Sequence, residues 1–316
     1  MSSVCQRRHA APSASDHDRW NASLPAITTY AVALLSDRLA RPRPTPSGIC
    51  RRRYPADDAN PRRGSHELEQ SAGAQMMVTD RWYSERLHEP ISLARWGSYG
   101  TPVLVFPTAG GDAEEIERNG LVAACGELID SGRVKLYSCD SVAGQEMVTK
   151  RGSFEHQTWL FDQFHECVVN EVVPAIRADL GGSSQPIVTA GASIGAFNSL
   201  AVLCRYPATF GAAICMSGTY RLDRFFEPVF THHLYVSSPL HFLPDLEGPQ
   251  LDTLRTRFVI LASGEGAWEN IGESWHAAAV LGSKGVPNRV DSWGPDWEHD
   301  WNTWLHMLPR YLDELC

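Results

Sequence analysis

The sequence predicts an α/β protein with a mostly parallel central sheet and helices on both faces. Three observations lead there. From residue 78 onward, short apolar runs alternate with helical stretches, and this alternation calls for parallel strands joined by helical crossovers. Several runs are continuously apolar, as in Pro102–Phe106 (PVLVF) and Phe258–Ala262 (FVILA), which is how strands buried on both faces read. The chain has 316 residues, 43% hydrophobic and 21% charged, enough to bury a full core.

The elements follow in order. Arg81–Leu87 and Ile91–Trp96 read as two strands joined by a turn at His88-Glu89-Pro90, forming an antiparallel edge. Pro102–Phe106 is the first buried strand. Glu114–Leu128 has a helical pattern, Val134–Cys139 is a strand, and Phe154–Leu180 carries one long helical pattern. Pro186–Ala190 (PIVTA) is a strand and Ile194–Cys204 a helix. Ala212–Met216 and Phe258–Ala262 are strands, Glu273–Leu281 a helix, Arg289–Trp293 a strand and Trp301–Leu312 the last helix. Between Tyr220 and Arg257 the alternation lapses. That stretch holds Phe225-Phe226, His232-His233 and several Pro, and is expected to form a short cap insertion over one end of the sheet.

Residues 1–75 differ from the rest. They hold eleven Arg and no Lys against seven acidic residues, with runs such as Arg51-Arg52-Arg53, and this composition rarely closes a core. They are expected to be a disordered extension, or to precede the true start at Met76 or Met77. The folded domain is expected over 76–316. The apolar stretch Ala26–Leu35 is far short of the ~20 residues that span a bilayer, so no membrane partner is expected. Arg7 and Arg8 precede it, but Thr28 and Thr29 dilute it and no clear cleavage site follows; the export signal is weak and a cytoplasmic location is expected. The formal net charge of −9 argues against nucleic acid as a partner. Eight Cys without a CxxC pair suggest buried thiols, not a zinc site or disulfide framework.

The chemistry centres on Gly191-Ala192-Ser193-Ile194-Gly195. A GxSxG pentapeptide alone is a weak signal, but here it links a buried strand to a helix. So tight a turn strains the central residue and pushes the Ser193 hydroxyl out at the carboxyl edge of the sheet. Glycines at 191 and 195 let strand and helix approach. The helix from Ile194 directs its positive end at any oxyanion formed there. The plainer alternative is a strand-to-helix turn with a Ser N-cap; the agreement of motif and context favours the nucleophile.

A serine hydroxyl needs a base, and this architecture uses the order Ser, acid, His. His299, in Trp297-Glu298-His299-Asp300-Trp301 between the last strand and last helix, is the candidate. His306 lies inside that helix and reads as a packing residue, and His276 comes too early. The acid belongs after Phe258–Ala262, where the loop offers Glu265 and Glu269 and no Asp. Asp291 and Asp296 are outside choices. Two backbone N–H groups are needed for the oxyanion. Ile194 supplies one. The other is expected from Pro107-Thr108-Ala109-Gly110-Gly111, with Ala109 the choice and Thr108 or Gly110 its near alternatives. No Gly-Lys-Ser/Thr follows that loop, so it is not a nucleotide cradle.

In this order the residues resemble the α/β-hydrolase superfamily. His299-Asp300-Trp301-Asn302-Thr303-Trp304 resembles the His-x-Trp-x-x-Trp ending of the esterase branch that includes esterase D-like enzymes and mycolyltransferases, and Met216-Ser217-Gly218-Thr219-Tyr220 fits the same branch. The resemblance covers about residues 78–316. It implies Glu269 as the acid, with Glu265 the alternative. Pro107-Thr108 stands where the branch has His-Gly, and Glu where Asp is commoner.

The resemblance implies ester hydrolysis through an acyl-enzyme, on small or medium acyl esters, with neither metal nor organic cofactor. Adjacent His232-His233 lacks a spaced carboxylate and is not read as a metal site. Trp268, Trp297, Trp301 and Tyr220, with Phe225 or Phe226, are expected to line the pocket. An acyltransferase on the same triad, and a non-catalytic binding protein of this fold, are the other function classes; the complete Ser, acid and His set disfavours the second.

Overall fold

The computed structural model describes residues 77–222 and 230–316. The expected extension over 1–75, and Phe225 and Phe226, lie outside the described residues. Eight strands form one sheet: β1 (Val78–Ser84), β2 (Glu89–Trp96), β3 (Thr101–Phe106), β4 (Val134–Cys139), β5 (Ile187–Ala192), β6 (Phe210–Met216), β7 (Phe258–Ser263) and β8 (Asn288–Ser292). Their spatial order is β1-β2-β4-β3-β5-β6-β7-β8. Strands β3 to β8 are parallel, while β2 is antiparallel to both β1 and β4.

The helices are α1 (Glu115–Arg118), α2 (Leu121–Ala124), α3 (Gly126–Asp130), α4 (Val142–Thr149), α5 (Phe154–Cys167), α6 (Val173–Asp179), α7 (Ile194–Arg205), α8 (His232–Ser237), α9 (Pro239–Phe242), α10 (Gly248–Leu254), α11 (Ile271–Ser283) and α12 (Trp301–Leu315). They cover both faces of the sheet. Along β3, Leu104 and Phe106 join one core with α5, α6 and α7, while Val103 and Val105 join the other with α1, α2, α3 and α12. Along β7, Val259 and Leu261 face the first core, and Ile260 and Ala262 the second. The period of two puts an apolar side chain on each face at every step, which is why these strands read as unbroken apolar runs.

Four boundaries differ from the sequence expectation. The β1–β2 turn is made by residues 85–88, with His88 at φ 55°, and Glu89 and Pro90 already pair with Ser84 and Tyr83 in the ladder. Pro is tolerated there because it lies at the start of β2, ahead of the residues Leu93–Trp96 that pair with β4. The helix expected over 114–128 is broken into α1, α2 and α3, because Gly120 takes φ 84° after α1 and turns the chain. The long helix over 154–180 passes through a π-turn at Val168–Val172 ahead of Pro174. Pro174 has no N–H for the carbonyl four residues back, and a wider turn makes room for its ring. Helix α4 was not expected: its buried positions are only Val142, Ala143 and Gly144, too few for a helical stripe.

The described part of the expected cap forms α8, α9 and α10 beside α5 and α7. Thr231 Oγ1 donates to Thr158 Oγ1 at 2.9 Å, His233 Nδ1 lies 2.9 Å from Asp162 Oδ2, and Gln250 Nε2 donates to the Arg205 carbonyl at 2.8 Å. His233 is thus engaged with a structural carboxylate. Among the described residues, no helix is long and apolar enough to cross a membrane.

Candidate active site

The site is built at the carboxyl ends of β3, β5, β6 and β7. Strand β5 ends at Ala192 and α7 begins at Ile194, so Ser193 alone makes the turn, at φ 57° and ψ −117°. A non-glycine residue held there costs about 1–3 kcal/mol, and such strain persists where the surroundings over-determine it. They do so here. The Ser193 N–H donates to the Met216 carbonyl at 3.0 Å, and the Ser193 carbonyl accepts from Thr219 N–H at 3.2 Å. A Cβ on Gly191 would lie 2.4 Å from the Gly195 carbonyl carbon, and one on Gly195 would lie 2.4 Å from the Phe106 oxygen. Both positions therefore require glycine, and the elbow sits directly against the end of β3.

His299 follows β8 and precedes α12. Its backbone N–H donates to the Ala267 carbonyl at 3.0 Å, which ties it to the loop after β7. Its Nδ1 lies 3.6 Å from Glu269 Oε2, with the Glu269 side chain 1% exposed and the His299 side chain 19% exposed. That separation is longer than a hydrogen bond and within ion-pair reach. Trp304 meets the imidazole edge-on, with ring centroids 5.2 Å apart.

Both oxygens of Glu269 are held. Ser217 Oγ donates to Oε1 in a short contact, and Ser263 Oγ lies 3.1 Å from Oε2, its one proton shared with the Gly264 carbonyl at 2.9 Å. Ser217 in turn accepts from Trp304 Nε1 at 3.0 Å. Ser217 also has a left-handed backbone, at φ 47°. Burial pushes the Glu269 carboxyl up, but His299 and the two serine hydroxyls together outweigh it and hold the group below the ordinary carboxylate range. Glu269 is therefore an ionised carboxylate facing a histidine Nδ1.

Glu265 is not part of this cluster. It is exposed, its N–H donates to the Gly294 carbonyl at 2.9 Å, and its carboxylate accepts from Ser292 Oγ at 2.5 Å. Asp291 pairs with Arg289 at 3.1 Å, and Asp296 and His276 are exposed. His306, expected to be a packing residue, is exposed, with Nδ1 2.8 Å from the Asn302 carbonyl.

The loop after β3 is a closed turn. Gly111 N–H donates to the Thr108 carbonyl at 3.0 Å, and Thr108 is bonded to Glu115. The N–H of Ala109 makes no hydrogen bond to another described residue. Ile194, the first residue of α7, has no intrahelical acceptor for its own N–H. Neither amide is committed to an acceptor among the described residues.

The expected pocket aromatics separate. Trp268 is 47% exposed at φ 65°, between Ala267 and Glu269. Trp301 is half-buried, with its ring edge-on to Trp304 at 5.2 Å. Trp297 turns to the cleft between β8 and α12, edge-on to Trp293 at 4.9 Å. Tyr220 is fully buried in the core shared with α5 and α7. Loop position suggested all four; ring direction is set by packing. The supporting roles of Ser217, Ser263 and Trp304 were not read from sequence, although Ser217 and Ser263 stand at the carboxyl ends of β6 and β7, which is where such support has to come from. Among the described residues no group of His, Cys, Asp and Glu is arranged to hold a metal ion.

Comparison with known proteins agrees with this architecture. The family model described as "Putative esterase" matches residues 138–311. No curated protein matches the chain by sequence. Among solved structures, a ferulic acid esterase superposes with a TM-score of 0.59 at 18% identity, covering 75% of this chain and 96% of that one. S-formylglutathione hydrolase from Staphylococcus aureus gives 0.56 at 10% identity, covering 76% and 96%. MPT51 from Mycobacterium tuberculosis gives 0.55 at 16% identity, covering 75% and 97%. At these identities the superpositions show the fold, which is that of the α/β-hydrolases.

Proposed function

The chain belongs to the "Putative esterase" family and is an esterase of α/β-hydrolase fold; from that premise we propose that it hydrolyses small or medium carboxylic esters through an acyl-enzyme on Ser193. The observation that carries this reading is the Glu269–His299 pair, 3.6 Å apart, built at the same carboxyl edge as the strained Ser193 elbow. The two are linked through the loop after β6, which bonds Ser193 through Met216 and Thr219 and Glu269 through Ser217.

In the first step Ser193 Oγ attacks the ester carbonyl carbon as His299 Nε2 takes its proton. Glu269 stabilises the imidazolium without taking the proton itself. The N–H groups of Ile194 and Ala109 hold the oxyanion. The tetrahedral intermediate collapses, and the alcohol leaves with the proton from His299. Water then attacks the acyl-enzyme by the same route, and Ser193 is regenerated. Trp268, on the acid's loop, and Trp301, at the start of α12, are the aromatic residues assigned to the substrate in this reading.

The test is hydrolysis of p-nitrophenyl esters of increasing acyl length, with and without added alcohols. Turnover that needs Ser193 and yields free acid supports the reading, and the length profile bounds the acyl site. A dominant alcohol-ester product would make the protein an acyltransferase instead. No turnover on any ester would contradict catalysis by this site.

A further inference from the structure

The loop proposed to carry the second oxyanion donor is held by a side chain of the helix that follows it. Glu115, at the start of α1, reaches back under it. Thr108 N–H donates to Glu115 Oε2 at 2.8 Å, and Thr108 Oγ1 donates to Glu115 Oε1 at 2.8 Å. The carboxylate is thus gripped by both donors of one residue. The space is filled tightly: a Cβ on Gly111 would fall 2.3 Å from Glu115 Oε2 and 2.5 Å from Pro107 Cβ.

The far end of the loop is pinned as well. The Gly111 carbonyl accepts from Gln145 Nε2 at 2.8 Å and from Ser141 N–H at 3.3 Å. A Cβ on Gly144 of α4 would lie 2.8 Å from the Ala109 oxygen, so α4 closes over Ala109. Between these two anchors, Thr108 and Gly111 have their polar backbone groups engaged, and the Ala109 N–H is left open. Burying a carboxylate for this purpose costs stability. Burial pushes the Glu115 carboxyl above the ordinary range, the Thr108 bonds offset this only in part, Asp112 adds to it, and the nearest cation, Arg118, is itself paired with Asp112 at 2.7 Å. A side chain needed only for packing at this position would be apolar.

We infer that Glu115 is a positioning residue: it clamps Thr108 so that the Ala109 amide is preorganised as the second oxyanion donor. The inference rests on the reading of Ser193 as nucleophile. It is distinct from the triad, because Glu115 touches neither His299 nor Glu269. Preorganised donors act on the transition state more than on the bound ester, so the effect belongs in kcat and not in KM.

The experiment measures kcat, KM and Tm on a p-nitrophenyl ester for wild type, Glu115→Ala, Glu115→Gln, Thr108→Val and the neighbouring control Glu114→Gln. Loss of one oxyanion donor costs about 10²–10³ in kcat, so a donor left loose in Glu115→Ala is expected to cost about 10–100-fold, with KM nearly unchanged. Glu115→Gln keeps one acceptor for Thr108 N–H, and Thr108 Oγ1 can turn to accept from its amide, so it rescues most of the loss. Thr108→Val, which loses one of the two bonds, falls between wild type and Glu115→Ala, and Glu114→Gln matches wild type. If Glu115→Ala unfolds, Glu115→Gln and Thr108→Val decide. An active wild type whose Glu115 and Thr108 variants keep kcat, or lose it only in step with Tm, overturns the inference alone. A wild type inert on every ester removes the reading of Ser193, and the inference falls with it.

Discussion

The loop after β7 and the loop after β3 each sequester a carboxylate, and they shift its carboxyl in opposite directions. Glu269 accepts from Ser217 and Ser263 and faces His299, and its carboxyl is held below the ordinary range despite burial. Glu115 accepts two bonds as well, both from Thr108, yet its carboxyl is pushed up. The two groups have matching numbers of hydrogen-bond donors, so donors alone do not decide the sign. What differs is the company each keeps: His299 beside Glu269 lowers its carboxyl, whereas Asp112 beside Glu115 raises it. In the proposed reaction Glu269 would meet the charge on His299, and Glu115 would hold a backbone.

Replacing each carboxylate with its amide sharpens that contrast. Glu269→Gln removes the anion that fixes the imidazole and should lower kcat by up to about 10⁴, the cost known for amide replacement of a triad acid. Glu265→Gln, in the same loop but bonded to Ser292, should stay near wild type. The reverse ranking in a side-by-side rate assay would assign the acid to Glu265.

Ser217→Ala comes next. It strips Glu269 Oε1 of its donor and leaves the Trp304 Nε1–H without its acceptor. Each buried group left unpaired costs about 1–3 kcal/mol, and a roughly tenfold fall in kcat is expected as the acid loosens. The pH sign is fixed by the lowered Glu269 carboxyl. Its stabilisation is fully present above the unfolded value of 4.5 and is lost as pH falls through the lower folded one. The Tm gap between wild type and Ser217→Ala should therefore be widest near neutrality and narrow in acid to what the unpaired Trp304 Nε1–H costs. A gap independent of pH would detach Ser217 from Glu269.

Glu115 should behave the other way in stability. With its carboxyl raised, the folded protein favours the protonated form, and stability falls as pH rises from 4.5 through the folded value. Glu115→Gln is expected to remove that decline and to match or exceed the wild-type Tm at neutral pH, with most of the rate kept. A lower Tm for the variant at pH 7 would show that the carboxylate stabilises the fold instead. The smallest effect is expected from starting the chain at Met77: a change in kcat or Tm on removal of residues 1–76 would give that segment a role in the domain.

Much of this was legible in the sequence, for physical reasons that can be named. Strands apolar on both faces leave continuous runs, so each parallel strand from β3 to β8 was found to within two residues. The elbow was legible because its glycines are imposed by backbone contacts at 2.4 Å that no side chain survives. Helix α4 was missed because it buries too little to leave a stripe, and the break at Gly120 because one residue's positive φ overrides an otherwise helical pattern. The roles of Ser217 and Glu115 were illegible because they depend on hydroxyl and amide contacts between segments 52 and 7 residues apart, and spacing does not encode these. Ring direction was illegible for the same reason: Tyr220 and Trp297 follow site strands or loops, yet one is buried in the core and the other faces the β8–α12 cleft.

The most direct test is rapid mixing of wild type and Ser193→Ala with a p-nitrophenyl ester, with mass spectrometry of the quenched protein. The predicted result is a burst of p-nitrophenol stoichiometric with wild-type enzyme, one acyl group on the peptide containing Ser193, and neither signal in Ser193→Ala. Equal traces for the two proteins, or an acyl group on any other residue, would contradict a nucleophilic Ser193.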